Sequence, residues 1–149
     1  MVTNVDAVTV FNGRTDKEKR RKAYIPTVIR GVSYVEGKGS RVADNGVWSE
    51  DVQYKIRVPL IAVVQDNRGY MRDLNYAKLD DEEAAKHWTI QKGDMVVRGE
   101  YAGDSPLLYE DELTAYAKEN GLDLIRVTEY ADDTSGGSLY TRHWRIGGK

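Results

Sequence analysis

The chain's two histidines, His87 and His143, each precede a tryptophan. With Asp94, Glu100 or Glu129 they could build a metal site or an acid–base pair. Neither sits in a ligand spacing such as H-E-x-x-H. On a strand, a histidine and its neighbour face opposite sides, so one member of each His-Trp pair belongs to the core and the other points outward. With no cysteine in the chain, the hydroxyl nucleophiles are Ser and Thr, and no G-x-S-x-G elbow surrounds one. Gly136-Gly137 and Gly147-Gly148 lack the spacing of a phosphate-binding loop. Asp80, Asp81, Glu82 and Glu83 read as a charged first helical turn, because no further oxygen ligands follow at a recognisable spacing. The residues predict no catalytic centre, no cofactor and no metal.

The elements that would position these side chains are mostly strands. Residues 87–101 read as strand, tight turn, strand: Trp88 and Ile90 alternate with Thr89 and Gln91, Lys92-Gly93-Asp94 turns, and Met95-Val96-Val97 is an apolar run too short for a helix. Gly93 is expected at positive φ. Residues 7–11 form an early strand that Asn12-Gly13 should end. A basic run follows in which Lys19, Arg20, Arg21 and Lys22 either form a solvated hairpin tip or touch phosphate or an acidic neighbour. Residues 23–35 are extended, with Pro26 at a strand start or edge and Gly31 at a bulge.

Residues 36–51, with Gly37, Gly39 and Gly46, read as a long irregular loop. Val47 and Trp48 in it either dock on their own domain or anchor a neighbouring subunit. The clearest strand is 52–58: Val52, Tyr54, Ile56 and Val58 face one way, and Gln53, Lys55 and Arg57 the other. Residues 70–86 hold a short helix at best, with Asp80 as N-cap. One main helix is predicted between Pro106 and Asn120, started by Ser105-Pro106 and stopped by Gly121. Strands at 122–130 and 138–146 complete the chain. The expected fold is α+β, mainly β: a small β-barrel or sandwich with one main helix and long loops, in a single domain over 1–149.

Composition narrows the function classes. Lys plus Arg number 22 and Asp plus Glu 24, a formal net charge of -2, so bulk charge does not predict nucleic-acid binding. No apolar run approaches the ~20 residues that span a bilayer. The N-terminal residues lack the basic and apolar regions of a signal peptide, which predicts a soluble protein made in the cytoplasm. Ten Tyr and three Trp against a single Phe favour half-buried strands and wet interfaces over a closed enzyme core.

Two stretches carry a resemblance: Trp88-Thr89-Ile90-Gln91-Lys92-Gly93-Asp94-Met95-Val96-Val97-Arg98-Gly99 and the terminal His143-Trp144-Arg145-Ile146-Gly147-Gly148-Lys149. With them go Val8-Thr9-Val10-Phe11-Asn12, Thr27-Val28-Ile29-Arg30-Gly31-Val32 and Tyr54-Lys55-Ile56-Arg57-Val58-Pro59. In this pattern the chain resembles the minor capsid or head–tail connector proteins of siphophages and prophages of Gram-positive hosts. The resemblance implies a virion structural protein of the stopper type, without catalysis. It implies a ring of copies of itself between portal or adaptor and tail-completion proteins, with DNA in the channel as a further contact and no membrane. The expected location is the host cytoplasm during assembly and the virion afterwards. A competing class is an OB-like barrel that stacks nucleic-acid bases on Tyr54, Tyr101 or Tyr140 beside Lys55, Arg57 and Arg98.

Overall fold

The computed structural model describes residues 6–42, 46, 48–135, 137, 138 and 141–149, with the side chains of 38–42 and 48–51 outside the description. The described residues form ten strands: β1 (Asp6–Asp16), β2 (Arg21–Val42), β3 (Trp48–Pro59), β4 (Val63–Val64), β5 (Gly69–Tyr70), β6 (His87–Trp88), β7 (Met95–Arg98), β8 (Leu108–Tyr109), β9 (Ile125–Asp133) and β10 (His143–Gly148). The helices are α1 (Asp73–Tyr76), α2 (Asp81–Ala84) and α3 (Glu110–Glu119), with a 3-10 turn at Gln65–Asn67. Strands β1, β7, β9, β10, β3 and β2 are hydrogen-bonded in that order, and β2 pairs again with β1. The path closes on itself into a barrel-like ring of antiparallel strands, which leaves few open edges. The mainly-β expectation with one main helix holds.

Alternation fills the barrel. Tyr54, Ile56 and Val58 of β3 point inward and meet Val8, Val10, Val96, Ile146 and Trp144 in one buried cluster. Strand β7 is buried on both faces: Val96 enters the barrel, while Met95 and Val97 join Phe11, Tyr24 and Leu113 beneath α3. That double burial explains an apolar run without alternation. A third cluster, Ile25 with Tyr76 and Ala84, seats α1 and α2 on β2.

Strand β2 is the long member, and its second edge is satisfied piecewise. Ala23 and Tyr24 pair with β8, and Ile29 and Arg30 pair with β4. Between them Pro26 has no N–H to offer. There Arg68 donates to Pro26 O at 2.8 Å, and Val28 N–H donates to Gln65 Oε1 at 3.0 Å. Side chains thus replace a ladder that proline could not complete. Gly31 has φ 84 at a register shift, and beyond it β2 pairs with β3.

Four sequence expectations need correction. Residues 36–51 are not a long loop: β2 and β3 pair from Ser33↔Arg57 out to Val42↔Trp48, forming an arm. The polar and glycine-rich residues here sit in a two-stranded ribbon with little to bury, so the apolar alternation that marks a strand is missing. Asn12-Gly13 does not end β1, which runs through to Asp16, with the turn at Lys17 and Arg20. Residues 87–98 are not a hairpin: β6 pairs in parallel with β5, whereas β7 pairs with β1 and β9. The main helix starts at Glu110 rather than Pro106, because Leu108 and Tyr109 are taken up by the pairing with β2, and Glu112 accepts from Tyr109 N–H at 3.2 Å.

The turn before β7 supports a specific expectation. Gly93 has φ 90, where a β-branched residue is strongly strained. Gly93→Val should lower stability by about 1–3 kcal/mol, read as a shift in the urea midpoint. An unchanged midpoint would show that the turn relaxes freely.

Candidate functional site

The barrel is clothed on one side and bare on the other. Helix α3 covers β1, β2 and β7, and the α1–α2 segment covers the start of β2. Outward residues of β9, β10, β3 and the far part of β2 carry no such cover among the described residues and line a groove of about 340 Å³. Lys55, Arg57 and Arg145 stand on it with Glu129.

The sequence-predicted contacts fall in two places. Val47 lies outside the described residues, as does the Trp48 side chain; the Trp48 backbone pairs with Val42 at the end of the arm. The basic run sits at the opposite end of β2 and is largely committed. Arg21 stacks on the Tyr109 ring at 3.5 Å and Lys19 at 5.0 Å. Arg21 also reaches Asp111 at 3.8 Å. Lys22 lies over Tyr24 at 5.5 Å. Arg20 occupies the turn with φ 54. Exposed Lys17 and Arg20 are the cations of this turn that face solvent without a ring or carboxylate partner among the described residues.

The histidines are not brought together as a site. Trp88 and Trp144 are the buried members, with ring centroids 5.1 Å apart, and Tyr70 packs against both. His87 Nδ1 lies 3.0 Å from Glu83 O, and His143 Nδ1 lies 2.7 Å from Thr141 O with Nε2 3.5 Å from Asp133. Among the described residues no group of three or more His, Asp or Glu is placed to hold a metal ion.

Asp94 proves to be the centre of a buried network that sequence spacing alone does not reveal. Its Oδ1 accepts from Gly13 N–H at 3.0 Å, and its Oδ2 accepts from Asn12 Nδ2 at 3.0 Å and Gln91 Nε2 at 2.9 Å. Asn12 also accepts from Thr89 N–H at 3.1 Å and donates to Thr89 O at 2.7 Å, so its amide acts as a strand neighbour to residue 89. Burial pushes the Asp94 carboxyl above its ordinary range, against the pull of its donors. A carboxylate fully enclosed by its own fold can tie β1 to the 91–94 turn and cannot reach a substrate. The one available signal was Asn12-Gly13 placed inside an alternating strand.

Two of the three stacking platforms of the OB reading, Tyr54 and Tyr101, are occupied. Tyr54 is buried, its hydroxyl donates to Asp123 Oδ2 at 3.0 Å, and burial followed by that carboxylate pushes it up to about 12. Tyr101 packs edge-on against Phe11 at 5.9 Å and Tyr116 at 4.9 Å. Tyr140 lies outside the described residues. Arg98 is paired with Asp6 at 2.8 Å and lies over Tyr34.

No curated protein and no solved structure matches this chain. One family model covers residues 2–149, and the chain therefore belongs to DUF6751, described as a family of unknown function.

Proposed function

We propose that this chain is a non-catalytic structural subunit of a phage head–tail connector, a stopper-like protein that works as a ring of its own copies. The observation that carries the reading is the arm. From Gly37↔Gln53 to Val42↔Trp48, β2 and β3 pair only with each other among the described residues, because β10 leaves β3 at Tyr54. That stretch extends about 20 Å at the rise of a strand. A two-stranded ribbon alone is marginally stable in water. A neighbouring subunit supplies the missing contacts, and repeated head-to-tail contacts of this kind close into a ring.

The two ends of β2 divide the work. The arm reaches the adjacent copy or the portal or adaptor layer. The Lys17–Arg20 turn presents exposed cations to an acidic neighbour or to DNA in the channel. The resemblance of the 88–99 and 143–149 stretches to connector proteins supports the same reading. In the cell the chain is then cytoplasmic until it joins the virion.

An arm-shortened chain tests this. Residues 39–51 are replaced by Asn-Gly, which suits a two-residue hairpin. The variant should keep its circular dichroism and melting curve and fail to enter particles, while an antibody to the full chain should label the head–tail junction. Normal incorporation of the shortened chain, or absence of the full chain from purified particles, overturns the proposal.

A further inference from the structure

The bare face carries an arrangement that the barrel itself does not need. Two cross-strand rows run over four strands. One is Ser33–Arg57–Arg145–Ala131, and the next is Val35–Lys55–Gly147–Glu129. Arg57 and Arg145 are therefore directly opposite each other, and like charges so placed destabilise a sheet. Asp133 relieves Arg145, at 3.0 Å. Arg57 has Thr141 O at 3.4 Å, and its Nε is buried without a hydrogen-bond partner. Lys55, the diagonal neighbour, is exposed and has no carboxylate partner among the described residues.

The shape matches the charge. Ser33, Ala131 and Gly147 are small at outward positions, which leaves a trough between the cations. At Gly147 the Glu129 side chain lies across the bare backbone, where a Cβ would stand 2.6 Å from Glu129 Cγ. Val35, 53% exposed, forms an apolar rim. A glycine inside a strand often marks the close approach of another chain. An uncompensated arginine in such a trough is a receptor for carboxylate, which its fork of donors matches.

From this we infer that the groove is a docking site for an extended, acidic segment of a partner protein, with its carboxylates on Arg57 and Lys55 and an apolar neighbour on Val35. A polynucleotide is the poorer fit. It needs a run of cations that track along its backbone, whereas this patch offers only Lys55 and Arg57 without a carboxylate partner among the described residues. The inference rests on the groove and its cations and not on the connector reading.

The test uses the full-length protein and a short fluorescein-labelled peptide rich in Glu and Val, followed by fluorescence anisotropy at low and moderate salt. Lys55→Glu with Arg57→Glu should weaken binding by roughly a hundredfold. Lys78→Glu with Lys118→Glu makes the same change in net charge at exposed positions of the α1–α2 segment and α3 and should leave binding within about twofold, as expected for a remote surface site. Folding is checked by thermal melts, and Arg57→Glu places a carboxylate opposite Arg145, which favours the strand pairing. Equal losses in the two double variants, or no binding by the unaltered protein, overturn the inference. Groove-dependent binding of oligothymidylate in place of the peptide overturns it in favour of nucleic acid. Self-association that the groove reversal abolishes overturns it in favour of a second copy.

Discussion

Trp88→Ala should remove about 3–5 kcal/mol of stability, enough to leave a domain of this size close to unfolding. Trp88 is 1% exposed and meets two other aromatic rings edge-on or tilted, Tyr70 and Trp144, each at 5.1 Å. The three rings come from β5, β6 and β10: β5 and β6 pair with each other, whereas β10 is fixed in the barrel by β3 and β9. Their backbones cannot close together over the missing indole, so the cavity term adds to the lost transfer energy. Strand β6 has only two residues and one short parallel pairing, and its ring is therefore its main attachment to the barrel. Trp88→Phe keeps an edge-on ring and should lose roughly half as much. Urea denaturation followed by far-ultraviolet circular dichroism measures both. A loss under about 1 kcal/mol for the alanine variant would mean that the rings are not packed as described.

The parts of this fold that could be read from sequence are those in which one residue's environment follows from its neighbours. The 52–58 alternation holds because one face of β3 fills the barrel and the other faces solvent. Gly93 at positive φ, Gly31 at a bulge and Asp80 as N-cap of α2, accepting Glu83 N–H at 2.8 Å, were all visible as local chemistry. What could not be read was settled by distant residues. Asn12-Gly13 looks like a turn, yet β1 passes through it. Asn12 is needed for its amide, and a Cβ on Gly13 would come within 2.2 Å of Lys22 Cε and 3.1 Å of Asp94 Oδ1. Ser105-Pro106 has the chemistry of a helix start, but the pairing of Leu108 and Tyr109 with β2 delays the helix. The bare face was half legible. The outward cations of β3 were evident, but their placement opposite Arg145 depends on a register that joins residues almost ninety positions apart.

Asp94→Asn is the sharper probe of how the barrel is locked. The substitution changes one oxygen to an amide nitrogen and leaves shape and volume nearly the same. Every polar group that reaches the Asp94 side chain is a donor: Gly13 N–H, Asn12 Nδ2 and Gln91 Nε2. An amide in its place must aim its own N–H groups at one or two of them. Loss of charge-assisted hydrogen bonds, with a buried donor left unpaired, should cost about 3 kcal/mol. The backbone gives the network little freedom to adjust, since Gly93 N–H donates to Val127 O and Val127 N–H donates to Asp94 O, both at 2.8 Å. A pH series separates this account from simple packing. Burial raises the native Asp94 carboxyl above the 3.8 of the unfolded chain, so the native state binds more protons in the window just above that value. Stability from this group is then fullest below the unfolded pKa and declines as pH rises through the native one. The asparagine variant lacks the titration, so its loss relative to the native chain should be larger in acid than at neutral pH. Chemical denaturation from acid to neutral pH should show that difference narrowing as pH rises. A constant difference across the range, or a loss below about 1 kcal/mol, would leave the carboxylate as a space-filling group and remove the lock.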